Sequence, residues 1–437
     1  MVSERRERRF FYGWVVVGSG FLAQLVLGIS AQAFTTYLVP LGREFGWSRA
    51  QLAGPRSVVG AETAILGPVQ GYLVDRVGPR VVMGLGCFLL GLGMVLFGLV
   101  DSLWQYYAAN IVGGIGSSLC GLLVVSTAVN SWFRRKRTMA MAIATVGFSV
   151  AGIIAVPAIV WVQATLGWRA AAIASGVAIW LIGIPTTAVL RPSPEAMGLH
   201  PDGEDPALAP AAAARPGAAH TSSAGMVDFS AREAMRTSAF WLIGFGSGLY
   251  ILVQSSIFVH LFPHLQQGVG LPLATATFAL GMLNVVNMGG RIAGGWLGDR
   301  YRKNVTLALG SAGTGTAMLM LAFATSATPV YAFALLFGFC WGLRVPLVNS
   351  VAGDYFGRVS YGKILGALQL IASPMGIIGP VVTGWAADAQ GDYRMVLASL
   401  AGLSLLSGLM FFLVRPPAVP ARLRDAEAPP TPASSAP

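Results

Sequence analysis

Four ionisable side chains stand inside long apolar stretches of this chain: Arg56, Glu62, Arg291 and Arg344. An ionisable group within a bilayer is expensive, so each is a functional candidate. Arg291 lies eight residues before Asp299 and Arg344 ten before Asp354, in two stretches that run in the same direction. Eight residues of helix span about 12 Å, too deep for easy escape to water. Two guanidiniums at one depth, with no evident acid between them, suit a carboxylate, which an arginine grips with two parallel N–H groups. The alternative is that each arginine satisfies carbonyls, or a loop acid such as Asp354. Glu62 lies thirteen residues before Asp75. A carboxyl at that depth is a natural proton site, because burial favours its neutral form; a structural hydrogen bond or an inter-helix salt bridge is the other reading. Arg56 is close enough to an end to reach water along its own stem. On one helix, six residues separate it from Glu62 by about 120°, so the two should not pair.

Neutral polar residues complete a plausible cavity. Tyr37 and Gln32 share one apolar run, and Tyr250 and Gln254 are spaced i, i+4 in another. Each could equally serve packing or helix pairing. His260 and His264 are also i, i+4, but Pro263 stands between them and no third ligand is evident, so no metal site is expected. His260 can line an outer vestibule.

These residues need helices that cross a membrane. The chain has 437 residues, 55% hydrophobic and only 11% charged, against roughly 25% charged for a soluble domain. That excludes an ordinary soluble enzyme and a disordered chain. The net charge of +11 does not indicate nucleic acid, because the basic residues sit in short runs between apolar stretches rather than on one soluble face. The 55 glycines suit closely packed membrane helices. Cys87, Cys120 and Cys340 all lie in apolar runs, with no metal spacing and no disulfide framework. At about 20 residues per span, twelve spans are expected: 11–39, 51–74, 81–100, 104–130, 138–162, 168–190, 237–262, 273–298, 304–325, 329–352, 362–386 and 394–415. The first is too long and polar for a signal peptide and is read as a retained helix. Of 29 Lys and Arg, 22 fall on one side, four (Arg43, Arg49, Arg169, Arg394) on the other and three within spans. Both termini are therefore expected in the cytoplasm of a multi-pass cell-membrane protein. Arg134, Arg135, Lys136 and Arg137 read as topology and headgroup contacts.

The domain plan is a tail (1–10), a six-helix bundle (11–190), a Pro/Ala/Gly/Ser-rich cytoplasmic linker (191–236), a second bundle (237–415) and a disordered tail (416–437). In the linker's end, Phe229, Ala231, Ala234 and Met235 form an expected interfacial apolar stripe. The halves look duplicated. GYLVDRVGPR begins at Gly71 and GWLGDRYRKN at Gly295, 224 residues apart; WFRRKR at Trp132 and YFGRVSYGK at Tyr355, like Pro157 and Pro380, are 223 apart. Such repeats are those of a rocking transporter.

The motif Gly71-x3-Asp75-Arg76-x-Gly78-x-Arg80, with its degenerate copy Gly295-x3-Asp299-Arg300-x-Arg302-Lys303, resembles the signature loops of the major facilitator superfamily. Tyr12-Gly13-Trp14, Glu44-Phe45-Gly46-Trp47-Ser48-Arg49, Trp132-Phe133-Arg134-Arg135-Lys136-Arg137 and Arg232-Glu233-Ala234 through Phe240-Trp241 resemble the monocarboxylate-transporter and oxalate/formate-antiporter branch. The resemblance implies an all-α membrane fold of twelve helices in two pseudo-symmetric six-helix bundles. It implies that Arg291 binds the substrate carboxylate. At a helix end Asp75 can accept the backbone N–H groups of a neighbouring helix start and pair with arginine, and orientation needs no acid, so Asp75, Arg76, Arg80, Asp299 and Arg300 are expected in a gate; the alternative is that the arginines only set topology. One departure matters: the antiporters carry a lysine midway along span eleven, whereas here Lys363 lies at its end, which favours a monoanion over oxalate.

The expectation is a secondary active transporter of a small organic anion, with Arg291, Arg344, Tyr37, Tyr250, Gln254 and His260 as substrate ligands and Glu62 as proton carrier. It would work by alternating access as a monomer, with proton symport or anion exchange, without a cofactor, enzyme activity or nucleic-acid partner. No GxxxxGK[ST] loop offers ATP drive. A drug or metabolite exporter of the same superfamily is the alternative, and a transporter-like sensor the next.

Overall fold

The computed structural model describes residues 11–47, 49–191, 193–203, 228–390 and 393–418. Both tails and the linker interior, with the flexibility expected of them, lie outside the described residues, as does the side chain of Arg56.

Apolar runs of this length form helices because a backbone in hydrocarbon must satisfy its own N–H and C=O groups. The first half contains α1 (Gly13–Phe45), α2 (Arg49–Val77), α3 (Pro79–Gly98), α4 (Leu103–Leu119), α5 (Leu122–Trp132), α6 (Arg137–Val150) and α7 (Val156–Val189). The linker's end forms the short α8 (Ala231–Met235). The second half contains α9 (Ser238–Pro263), α10 (Leu273–Arg300), α11 (Lys303–Ala322), α12 (Ala327–Phe356), α13 (Tyr361–Gln390) and α14 (Arg394–Leu413). Nine stretches among the described residues are long and apolar enough to cross a membrane. One of them, Arg137–Val189, holds two crossings, because Gly167 breaks it at φ 85°, a conformation that favours glycine. The α4 and α5 helices together make one crossing. With α2 and α10, whose buried polar residues make them less apolar, the crossings number twelve.

Among the described residues the first half has one core, drawn from α1 to α7, and the second has two, one on α9 to α12 and α14 and one on α8, α9 and α11 to α14. The halves meet along two equivalent seams at the Lys/Arg-rich end of the bundle, the basic face. Along the first, α2 lies against α13: a Cβ on Gly71 would overlap the backbone carbonyl of Gly362, and one on Gly366 would meet that of Gly67. Along the second, α10 lies against α6, where Gly295 faces Met139 and Ala142, and Gly298 faces Thr138. Small residues let the backbones close to this distance.

On the opposite face, the Glu44 carboxylate accepts the Trp168 indole N–H at 2.6 Å and pairs with Arg169. Arg169, then Trp168, holds that carboxyl below the usual carboxylate range. Arg169 also reaches Asp101 at 2.8 Å. The Glu44-to-Trp47 motif is thus a clamp between the end of α1 and α7. The apolar stripe expected at the membrane interface is instead docked into the second half. Phe229 and Ala234 are buried, the Phe229 N–H donates to the Phe356 carbonyl at 3.0 Å, and the two rings meet edge-on; only Met235 is exposed.

Candidate functional site

A cavity of about 190 Å³ opens between α5 of the first half and α9, α12 and α13 of the second. Arg344 dominates it chemically. The residue is 3% exposed. Its guanidinium lies 3.9 Å from the Tyr250 ring centroid and 4.5 Å from that of Phe411. Both aromatic faces favour a cation. One N–H donates to Ser311 Oγ at 2.8 Å and another to the Gly246 carbonyl at 3.4 Å. Ser404 and Ser407 donate in turn to the Ser311 and Gly246 carbonyls, fixing α14 to this shell. Among the described residues no carboxylate pairs with Arg344. A guanidinium has five N–H donors, so this one retains donors and a full charge for a ligand. Tyr250, Gln254, Ser247, Trp341, Asn349 and Gln369 supply the other polar lining, and Leu122 and Leu123 bring the first half into the wall.

The structure brings Arg344, Tyr250 and Gln254 together, as the sequence expects, and places the other candidates elsewhere. Arg291 is buried at the second seam: its Nε donates to Asn287 Oδ1 at 3.1 Å, and Nη1 crosses the halves to the Thr145 carbonyl at 2.7 Å. Of the glycines beside the two arginines, Gly290 and Gly342 bring helices together, since added Cβ atoms would overlap the Phe339 and Asn287 carbonyls, whereas Gly289 faces open space. Tyr37 sits in the first core, edge-on to Phe97 at 5.1 Å. His260 lies between Pro380, whose carbonyl is 2.9 Å from Nε2, and the Tyr393 hydroxyl, 3.3 Å from Nδ1, in a separate small cleft. Glu62 packs on Gly114 of α4, away from the cavity lining, and neither carboxylate oxygen has a hydrogen-bond partner among the described residues.

At the basic face the two signature-loop aspartates do the same thing by symmetry. Asp75 accepts the N–H groups of Gly362 and Lys363, at 3.0 and 2.9 Å, at the start of α13. Asp299 accepts those of Thr138 and Met139, at 2.9 and 3.0 Å, at the start of α6. Each carboxylate caps a helix N-terminus of the other half, where unpaired N–H groups and the helix dipole favour an anion. Arg76, Arg80 and Arg300 are exposed; Arg76 bonds Tyr72 and Arg300 lies over Trp296, each on its own helix.

The sequence reading missed other seam residues. Arg137, expected among headgroups, is 1% exposed and reaches Asp354 of the second half at 2.6 Å, and Lys303 pairs with the same carboxylate. Arg358 donates across the seam to the Ser131 carbonyl at 2.7 Å. The available signal was Asp354 itself, an acid at a span's end near three basic runs. The sequence reading also leaves out the cavity's Asn349 and Gln369.

The rat (Rattus norvegicus) protein named Monocarboxylate transporter 13 is 28% identical over 402 residues, covering 91% of this chain and 87% of that one. The mouse (Mus musculus) protein named Monocarboxylate transporter 11 is 27% identical over 423 residues, covering 94% and 88%. The solved proton:xylose symporter XylE superposes with a TM-score of 0.73 at 15% identity, covering 92% of this chain and 96% of that one. This is the expected twelve-helix, two-bundle fold. The family model of the Major Facilitator Superfamily matches residues 20–380 and again 295–436. The chain belongs to the Major Facilitator Superfamily and is a membrane transporter, similar in sequence to the monocarboxylate transporters, rather than an enzyme.

Proposed function

We propose that the protein is a secondary active transporter of a small organic monocarboxylate, held at Arg344 and moved by alternating access between the two halves. The observation that carries this is a fully buried guanidinium, without a carboxylate partner among the described residues, in a cavity walled by both halves. A buried charge calls for a compensating one. A single cation in the lining suits one negative charge, and the aliphatic walls suit an apolar body. The relatives' names point the same way. The Lys/Arg asymmetry makes the basic face cytoplasmic, with both termini and the 191–236 linker on that side of the cell membrane, and the protein works as a monomer of two bundles, 11–190 and 237–415. On this reading the seams held by Asp75 and Asp299 are the closed cytoplasmic gate.

Arg291 takes a state-dependent role. Opening the cytoplasmic seam removes the Thr145 carbonyl from its reach, and the freed guanidinium becomes an anion ligand on the way out. Arg291→Lys keeps the charge and loses the fork. We expect uptake to fall about tenfold, as for one charge-assisted hydrogen bond, at unchanged membrane abundance. Normal uptake in Arg291→Ala removes the residue from the cycle.

The experiment for the reading as a whole is uptake of monocarboxylates and dicarboxylates into proteoliposomes, with and without an imposed pH gradient. Monocarboxylates should accumulate and dicarboxylates should not. With an unpaired carboxyl such as Glu62 as proton carrier, a pH gradient drives accumulation in the wild type, while Glu62→Gln keeps exchange but loses the response. Gradient-driven accumulation that survives in Glu62→Gln excludes it as the carrier, and absence of uptake of any carboxylate rejects the substrate class.

A further inference from the structure

The linker's described ends repeat the pattern of the gate. Asp202 Oδ2 accepts the backbone N–H groups of Arg134 and Arg135, both at 2.9 Å, and Oδ1 lies 3.5 Å from that of Lys136. Asp228 Oδ1 accepts those of Arg358 and Val359, at 2.7 and 3.3 Å. The two amide pairs are equivalent under the internal repeat: 358 follows 134 by 224 residues, as Asp299 follows Asp75. Four residues further on in each turn come the amide pairs bound by the gate acids, Thr138–Met139 and Gly362–Lys363. Each turn and helix start is therefore held by two carboxylates. One comes from the linker end of the same half, and the other from the signature loop of the opposite half. A third linker acid, Glu195, reaches across to Arg358 at 3.1 Å.

We propose that the linker's ends are working parts of the cytoplasmic gate, with Asp202 and Asp228 as positioning residues that present the starts of α6 and α13 to Asp299 and Asp75. Without the first carboxylate, the turn's free N–H groups turn to water, and the helix start must be ordered anew each time the gate shuts. The linker acids thereby favour the state closed at the basic face, although none of the Asp202 and Asp228 hydrogen bonds crosses the seam. The proposal rests on Asp75 and Asp299 being gate residues. It assigns no role to the sequence between the anchors.

Spin labels at Val81 and Tyr301, both exposed at the basic face on opposite halves, report the opening as a distance distribution in the full-length protein. Asp75→Ala serves as the reference: if it leaves the distribution unchanged, the gate reading itself fails. Given that response, Asp202→Ala and Asp228→Ala should each shift the closed-to-open ratio about tenfold toward open. Asp202→Asn and Asp228→Asn retain an acceptor oxygen and should shift it much less. Replacing residues 206–225 by Gly/Ser of equal length should leave the ratio as in the wild type. If the Ala variants do not accumulate, Asp202→Ser and Asp228→Ser, whose shorter side chain cannot hold both backbone N–H groups, take their place with the same expected direction. Wild-type distributions in the Ala variants, or in the Ser variants that replace them, overturn the proposal, as does opening by the Gly/Ser replacement with both acids intact.

Discussion

Arg344→Lys should lower the initial rate of carboxylate uptake about 100-fold, with the protein still present in the membrane at normal abundance. The charge remains, but the shape that the site is built for does not. The planar guanidinium lies against two aromatic faces, Tyr250 and Phe411, and donates to two helices at once, at Ser311 and Gly246. An ammonium on a flexible stem cannot stack on both rings and present parallel N–H groups to a carboxylate. The loss of charge-assisted hydrogen bonding to a desolvated anion is about 3 kcal/mol, which is about two decades in affinity. Initial rates at subsaturating substrate, normalised to surface abundance, check this. Rates within threefold of wild type would mean that Arg344 is held for packing alone.

The second large effect is expected at Gly71. Its Cα faces the Gly362 carbonyl so closely that a methyl group would occupy the same space as backbone atoms, which cannot rotate aside. Close-packed interiors do not absorb such an overlap without moving helices. Gly71→Val should therefore hold α2 and α13 apart at the basic face and trap the transporter open there. Net transport should fall below about 1% of wild type, because a cycle needs both closures. Cysteine reagents applied from the basic-face side should then react with a cysteine introduced in the cavity lining as Val348→Cys. Gly60, on the same helix, has open space where its Cβ would be, so Gly60→Val should transport normally. Wild-type transport by Gly71→Val would show that the seam does not need this approach.

Much of this architecture was legible in the sequence because it depends on local or periodic signals. The length of the apolar runs gives the spans, and the 224-residue offset gives the duplication and the partner loops. The signature-loop aspartates stand out because orientation in the membrane needs arginines but no acids. Their true partners did not stand out. Backbone N–H groups carry no sequence signature, and Asp75 meets Lys363 across 288 residues. Arg137 looked like its exposed neighbours Arg134 and Arg135, and only the inter-half packing that buries it beside Asp354 sets it apart. Arg291 and Arg344 were equal by depth. The fold separates them: α10 turns Arg291 into the α6 seam, while α12 turns Arg344 into the cavity. Glu62 is legible as an acid within a long helix, but the wall it faces, Gly114 of α4, depends on how α2 rotates within the bundle, which periodicity alone does not fix.

The most direct test is to locate a bound substrate. A bromine-tagged monocarboxylate that the protein transports or that inhibits uptake should be placed by experimental density in the gate-closed state. Its carboxylate is predicted within hydrogen-bonding distance of the Arg344 guanidinium, beside Tyr250, with its body against the Trp341 and Leu123 walls; Arg291 should remain bonded to the Thr145 carbonyl. A carboxylate bound at Arg291 in that state, or in the His260–Tyr393 cleft with Arg344 left empty, would contradict the assignment of Arg344 as the anion site.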